Sequence, residues 1–185
     1  MLLVQSKMNL KDIWKRIISK RESLRKVFIF ATKLLILSFL MYIISLNVNF
    51  LPMQEASAEF TDNALNALNI PTEREKIRIG VQGKDFLITE DCTAWKGMFF
   101  FLSLVIASGS TLKKTVKGLA VGIPVIYALN LLRILLLILF TVQLGPHIYD
   151  LLHTFLWQTG MVVSVFILWV MWLRRGNFLT KDTTD

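Results

Sequence analysis

The residues of this 185-residue chain with chemistry to offer are one cysteine, two histidines and one arginine set inside an apolar run. Cys92 is the only thiol, so no disulfide framework forms within the chain and no multi-cysteine metal site exists. His147 and His153 are the only histidines, which leaves too few nitrogen and sulfur ligands for an ordinary zinc site. A lone thiol is either a small buried hydrophobe or a nucleophile whose thiolate attacks an acyl carbon. Cys92 falls where a polar stretch gives way to an apolar one, which predicts a place in the first turn of a helix. There the positive end of the backbone dipole favours thiolate. Lys96, four residues on, would face the same side and add to that effect, while Asp91 would oppose it.

Arg133 interrupts the run Ala128-Leu129-Asn130-Leu131-Leu132-Arg133-Ile134-Leu135-Leu136-Leu137. A guanidinium at such depth costs about 2.5 to 3.5 kcal/mol on insertion scales, and it keeps its charge. Counted back from Val142, it lies about 13 Å below the outer edge of its span. Asn130, three residues earlier, shares its helical face and makes a polar stripe with it. Such an arginine either snorkels and fixes helix packing, or meets a substrate. His153 opens the last apolar run, and imidazole is the usual base beside a catalytic thiol. His147, in the loop after Gly145-Pro146, is the rival for that role.

Composition shows which elements must position these groups. The chain is 54% hydrophobic with mean hydropathy +0.55, yet its formal charge is +8. That pairing predicts a membrane protein with charged flanks. A nucleic-acid binder would need its cations on one solvated domain. A bilayer core takes about 20 apolar residues per helix, and four stretches qualify or nearly so: about 27–50, 92–109, 119–142 and 152–173. Residues 1–26 carry eight Lys and Arg, the 110–118 loop three and residues 174–185 three. All of these fall on one side of a four-span arrangement. The positive-inside rule then puts both termini in the cytoplasm and Cys92, Arg133 and His153 toward the outer face.

The fold class expected is an all-α membrane protein, a four-transmembrane-helix bundle with a small extracytoplasmic helix-plus-hairpin insertion. Residues 1–26 form a cytoplasmic basic amphipathic segment, 27–175 the membrane domain and 176–185 a cytoplasmic tail. In the outer loop 51–91, Phe60, Ala64, Leu65 and Leu68 suggest a short helix stopping before Pro71. Ile77, Ile79 and Val81, the turn Gln82-Gly83-Lys84-Asp85 and Phe86-Leu87-Ile88-Thr89 suggest a hairpin leading into Cys92. About 40 residues cannot build a core alone, so this piece is expected to pack on the membrane domain.

Cys92-Thr93-Ala94, then Asn130-Leu131-Leu132-Arg133-Ile134, then His153 ahead of Gly160-Met161, resembles the exosortase/archaeosortase family over about Ile77 to Trp172. Ala94 stands where many members have glycine, and many bacterial members have about twice as many spans. The compact form is similar to the archaeal or minimal end of the family. The resemblance implies a membrane cysteine transpeptidase with Cys92 as nucleophile, Arg133 as oxyanion-stabilising or substrate-positioning residue and His153 as general acid/base. It makes Asn130 an accessory polar group. Its substrates would be exported proteins ending in a short motif, a transmembrane helix and a basic tail. A membrane lipid or water would resolve the thioester, with no metal or organic cofactor and no nucleic-acid partner. A different class of reading is a non-catalytic membrane scaffold in which Arg133 binds a partner's acid or a lipid headgroup. A small transporter is disfavoured, because there is one buried charge and no pair of broken helices.

Overall fold

The computed structural model describes residues 10–145 and 159–178. In chain order these form α1 (Leu10–Ser45), α2 (Leu51–Ala67), β1 (Thr72–Glu75), β2 (Arg78–Val81), β3 (Lys84–Leu87), a 3-10 turn at Glu90–Cys92, α3 (Trp95–Ala107), α4 (Leu112–Leu144) and α5 (Met161–Phe178). Among the described residues helix dominates, and two helical stretches, Arg21–Ser45 and Leu112–Leu144, are long and apolar enough to cross a bilayer.

Residues 10–26 of the basic segment and the first apolar run form one continuous helix. No Gly or Pro lies between Leu10 and Ser45 to part them. The second apolar run gives a shorter helix than the 92–109 span expected. Thr93 is extended (φ −86°, ψ 151°), so α3 begins only at Trp95. Its 13 residues reach about 20 Å, short of the roughly 30 Å hydrocarbon core. α4 has 33 residues and runs about 50 Å.

The insertion is larger than a helix and a hairpin. α2 starts at Leu51, with Pro52 in its first turn where no N–H is needed. The sheet has three antiparallel strands in the order β1-β2-β3. β1 escapes a periodicity reading because Thr72-Glu73-Arg74-Glu75 is a charged, mostly exposed edge with no apolar alternation. The β2–β3 register pairs Val81 with Lys84, so the turn is only Gln82-Gly83. Both turn residues have positive φ, 50° and 74°, as a type I′ hairpin requires. Lys84 and Asp85, expected in the turn, are strand residues.

Two apolar clusters hold these parts together. The outer one joins Ala58 and Leu65 of α2, Ile79, Val81, Phe86 and Ile88 of the sheet region, and Ile134 and Ile138 of α4. The insertion therefore has no core of its own and closes on α4. Lys84 reinforces this by donating from Nζ to the Thr141 carbonyl at 2.9 Å, a bond to the last turn of α4. The second cluster joins Phe101, Leu104 and Val105 of α3, Ile126 of α4 and Val165 of α5, with Phe30 and Leu34 of α1 against it. Trp169 ties it laterally, stacking on Phe30 at 5.9 Å and donating to Ser108 Oγ at 2.9 Å.

α4 approaches its neighbours through glycine. A Cβ on Gly122 would stand 2.1 Å from Cε1 of the buried Phe101 ring, and one on Gly118 would stand 2.3 Å from Trp172 Nε1. Gly122→Ala is expected to lower thermal stability of the full chain in detergent by about 1–3 kcal/mol, the usual cost of overpacking. Adding Phe101→Leu should recover part of the loss, and independent effects of the two changes would contradict this packing.

Candidate active site

One face of α4 organises the site. Gly118, Gly122, Ile126, Asn130, Ile134 and Ile138 are all buried and recur every fourth residue, a stripe along one side of a helix. Ile126 belongs to the second cluster and Ile134 to the outer one. Asn130 thus sits at the junction between them, 1% exposed. Its Nδ2 donates to the Cys92 carbonyl at 2.7 Å, across 38 residues of chain. Its Oδ1 is buried and meets no donor among the described residues. An acceptor left so costs about 1–3 kcal/mol, which in general points to a function or a missing partner.

Cys92 is held on several sides. Its N–H donates to the Thr89 carbonyl at 2.9 Å, closing the 3-10 turn. Thr93 doubles that turn, with its hydroxyl donating to the Glu90 carbonyl at 2.7 Å. From α2, Gln54 Nε2 donates to the Ile88 carbonyl at 3.1 Å and fixes the chain entering the turn. Cys92 is 9% exposed and packs in the outer cluster, with its thiol 3.5 Å from Thr89 Oγ1. The Thr93 hydroxyl bond back to Glu90 and the extended Thr93 backbone close this turn before α3 begins.

Two expectations about Cys92 are therefore corrected. It is not in the first turn of α3, because its own 3-10 turn ends three residues before Trp95. Lys96 does not stand over the thiol as an unmatched cation. Its ammonium donates to the Asp91 carboxylate, and it lies 5.5 Å from the centroid of the Trp95 ring.

Next to this segment is a cavity of about 360 Å³. Asp91, Thr93 and Lys96 line it from around Cys92, and Asn130 and Arg133 line it from α4. Gly97 and Phe100 of α3 with Met161, Val162 and Val165 of α5 complete an apolar wall. The half-buried Arg133, three residues beyond Asn130, faces the same space. The fold thus joins Asn130 to the Cys92 backbone and sets Asn130 and Arg133 on a cavity lined by the neighbours of Cys92, Asp91 and Thr93, while the Cys92 side chain itself packs in the outer cluster. His153 and its rival His147 lie outside the described residues. Gln54, Thr89 and the apolar wall carried no motif that sequence reading could single out. They matter through contacts made across the fold.

A family model for transmembrane exosortases matches residues 21–173. That is wider than the stretch from Ile77 to Trp172 on which the resemblance rested, and it takes in the apolar part of α1, α2 and all of the sheet. Neither a curated protein nor a solved structure gives a match. The family match covers most of the chain, and two helical stretches are apolar enough to span a bilayer. The chain belongs to the transmembrane exosortase family and is a membrane protein.

Proposed function

We propose that this protein is a membrane cysteine transpeptidase that removes the C-terminal sorting signal of exported surface proteins. The observation that carries the reading is the Asn130–Cys92 hydrogen bond, which ties the cysteine backbone to the helical turn bearing Arg133 beside a substrate-sized cavity. Family membership supports the same chemistry.

Cys92 is the nucleophile, Arg133 stabilises the oxyanion or holds the substrate carbonyl, and His153 is the general acid/base. Attack requires the Cys92 side chain to turn from the outer cluster toward the cavity that its neighbours line. His153 takes the thiol proton, and the thiolate adds to the scissile carbonyl. The C–N bond breaks as His153 returns the proton to the leaving amine, and a thioester remains on Cys92. An acceptor amine, on a lipid, or water then attacks, gives up a proton to His153 and releases the thiolate, which is reprotonated. In this reading the chain crosses four times with both termini in the cytoplasm, the short α3 matched by local thinning of the bilayer, and the chemistry lies at the outer face, level with a peptide bond just outside a substrate helix. The apolar wall from α3 and α5 suits lateral docking of such a helix through close side-chain packing.

The test is an exported protein with a C-terminal hydrophobic helix and basic tail, epitope-tagged after the tail, in cells with and without this chain. Loss of the tag only when the chain is present is expected, and mass spectrometry of the shortened protein maps the cut. Equal retention of the tag on every such protein in both strains would refute the reading.

A further inference from the structure

We infer that Asn130 Oδ1 is a substrate-binding atom, accepting the backbone N–H of the residue whose carbonyl is attacked. This rests on the transpeptidase reading and adds a contact to it. The atom assignment follows from chemistry. The Cys92 carbonyl can only accept, so the Asn130 atom 2.7 Å from it must be Nδ2. That leaves Oδ1 as the acceptor, buried, without a donor among the described residues, on a side chain that lines the cavity. Part of the cavity wall is apolar, formed by Phe100, Met161 and Val165. A peptide entering such a space must find partners there for its own N–H and C=O groups.

In an extended peptide a residue's N–H and C=O point to the same side, and successive residues are about 3.3 Å apart. Asn130 and Arg133 are separated by about 4.5 Å along the α4 axis. One residue can therefore give its N–H to Asn130 and present its carbonyl toward Arg133, next to Cys92. Asn130 then acts on both partners, orienting the nucleophile's backbone through Nδ2 and the substrate through Oδ1. The bond to the Cys92 carbonyl accounts for a donor on this stripe but leaves the acceptor Oδ1 without a structural partner among the described residues. The other members of the series at 118, 122, 126, 134 and 138 are Gly or Ile.

The test uses the full chain in detergent and a synthetic peptide spanning the cut mapped by tail removal. In a series of such peptides, ester oxygen replaces one backbone N–H at a time. With the wild-type chain, the ester at the scissile residue is expected to lower kcat/KM about 10- to 100-fold, more than an ester at any neighbouring position. Asn130→Ala should cleave the amide and that ester at similar rates, because the acceptor is gone. Asn130→Gln, which keeps both an amide acceptor and an amide donor, should restore part of the preference for the amide. Cleavage of all wild-type esters at equal rates would overturn the inference alone, and it can be read even if Asn130→Ala fails to fold. An unchanged amide preference in a folded Asn130→Ala would do the same. A wild-type chain that cleaves none of the peptides would overturn the transpeptidase reading and the inference with it.

Discussion

Cys92→Ala is expected to stop tail removal, lowering its rate by about 1000-fold or more, as losing the atom that forms the covalent intermediate does in general. The fold should survive. The change deletes one sulfur from a cluster already closed by Ile79, Phe86, Ile88, Ile134 and Ile138, at a cost of about 1 kcal/mol. The Asn130 bond is to the Cys92 carbonyl, so it is retained by any side chain at that position. Cys92→Ser should be nearly as inactive, since an unactivated hydroxyl is a weak nucleophile at neutral pH. Immunoblots of the tagged substrate report activity, and thermal unfolding of the purified variants reports folding. A scaffold working through Arg133 predicts that both variants behave as wild type.

Arg133→Met is expected to reduce tail removal about 100- to 1000-fold, the usual effect of losing one group aimed at a developing oxyanion. The side chain lines the cavity and is half-buried, and methionine is close to it in length, so thermal unfolding of the variant separates a loss of activity from a loss of fold. Removing a guanidinium from a membrane helix also removes its desolvation cost. Arg133→Lys should recover little, because a compact ammonium cannot reproduce the planar fork of donors. A kcat loss with KM nearly unchanged would mark transition-state stabilisation, whereas a raised KM alone would mark ground-state binding of the substrate carbonyl. Sensitivity at Arg133 is shared with the scaffold reading, so it becomes decisive only beside the Cys92 variants.

What the sequence revealed of this site depended on how local each feature is. Asn130 and Arg133 were legible because both lie in one helix, where a three-residue offset already sets their common face. The start of α3 was not. Glu90-Asp91-Cys92-Thr93 borders an apolar run and reads as its first turn. The Thr93 hydroxyl bond to Glu90 and the hold of Gln54 on Ile88 instead make a separate 3-10 turn. β1 was hidden for a related reason. Its charged residues gain nothing from burial and are ordered by pairing with β2 and by the Arg74–Asp62 contact at 3.7 Å. The clamp from Asn130 to Cys92 spans the whole of α3 and half of α4, a distance over which no spacing rule operates. Only the meeting of the two apolar clusters makes it visible.

The most direct measurement is to run tail removal by the full chain with hydroxylamine present and to weigh the new C-terminus of the substrate. Hydroxylamine cleaves a thioester to a hydroxamate. The account predicts a C-terminal hydroxamate on the shortened protein, formed by the wild-type chain and missing with Cys92→Ala. Continued processing by Cys92→Ala, ending in the same product and with no hydroxamate at any hydroxylamine concentration, would contradict it.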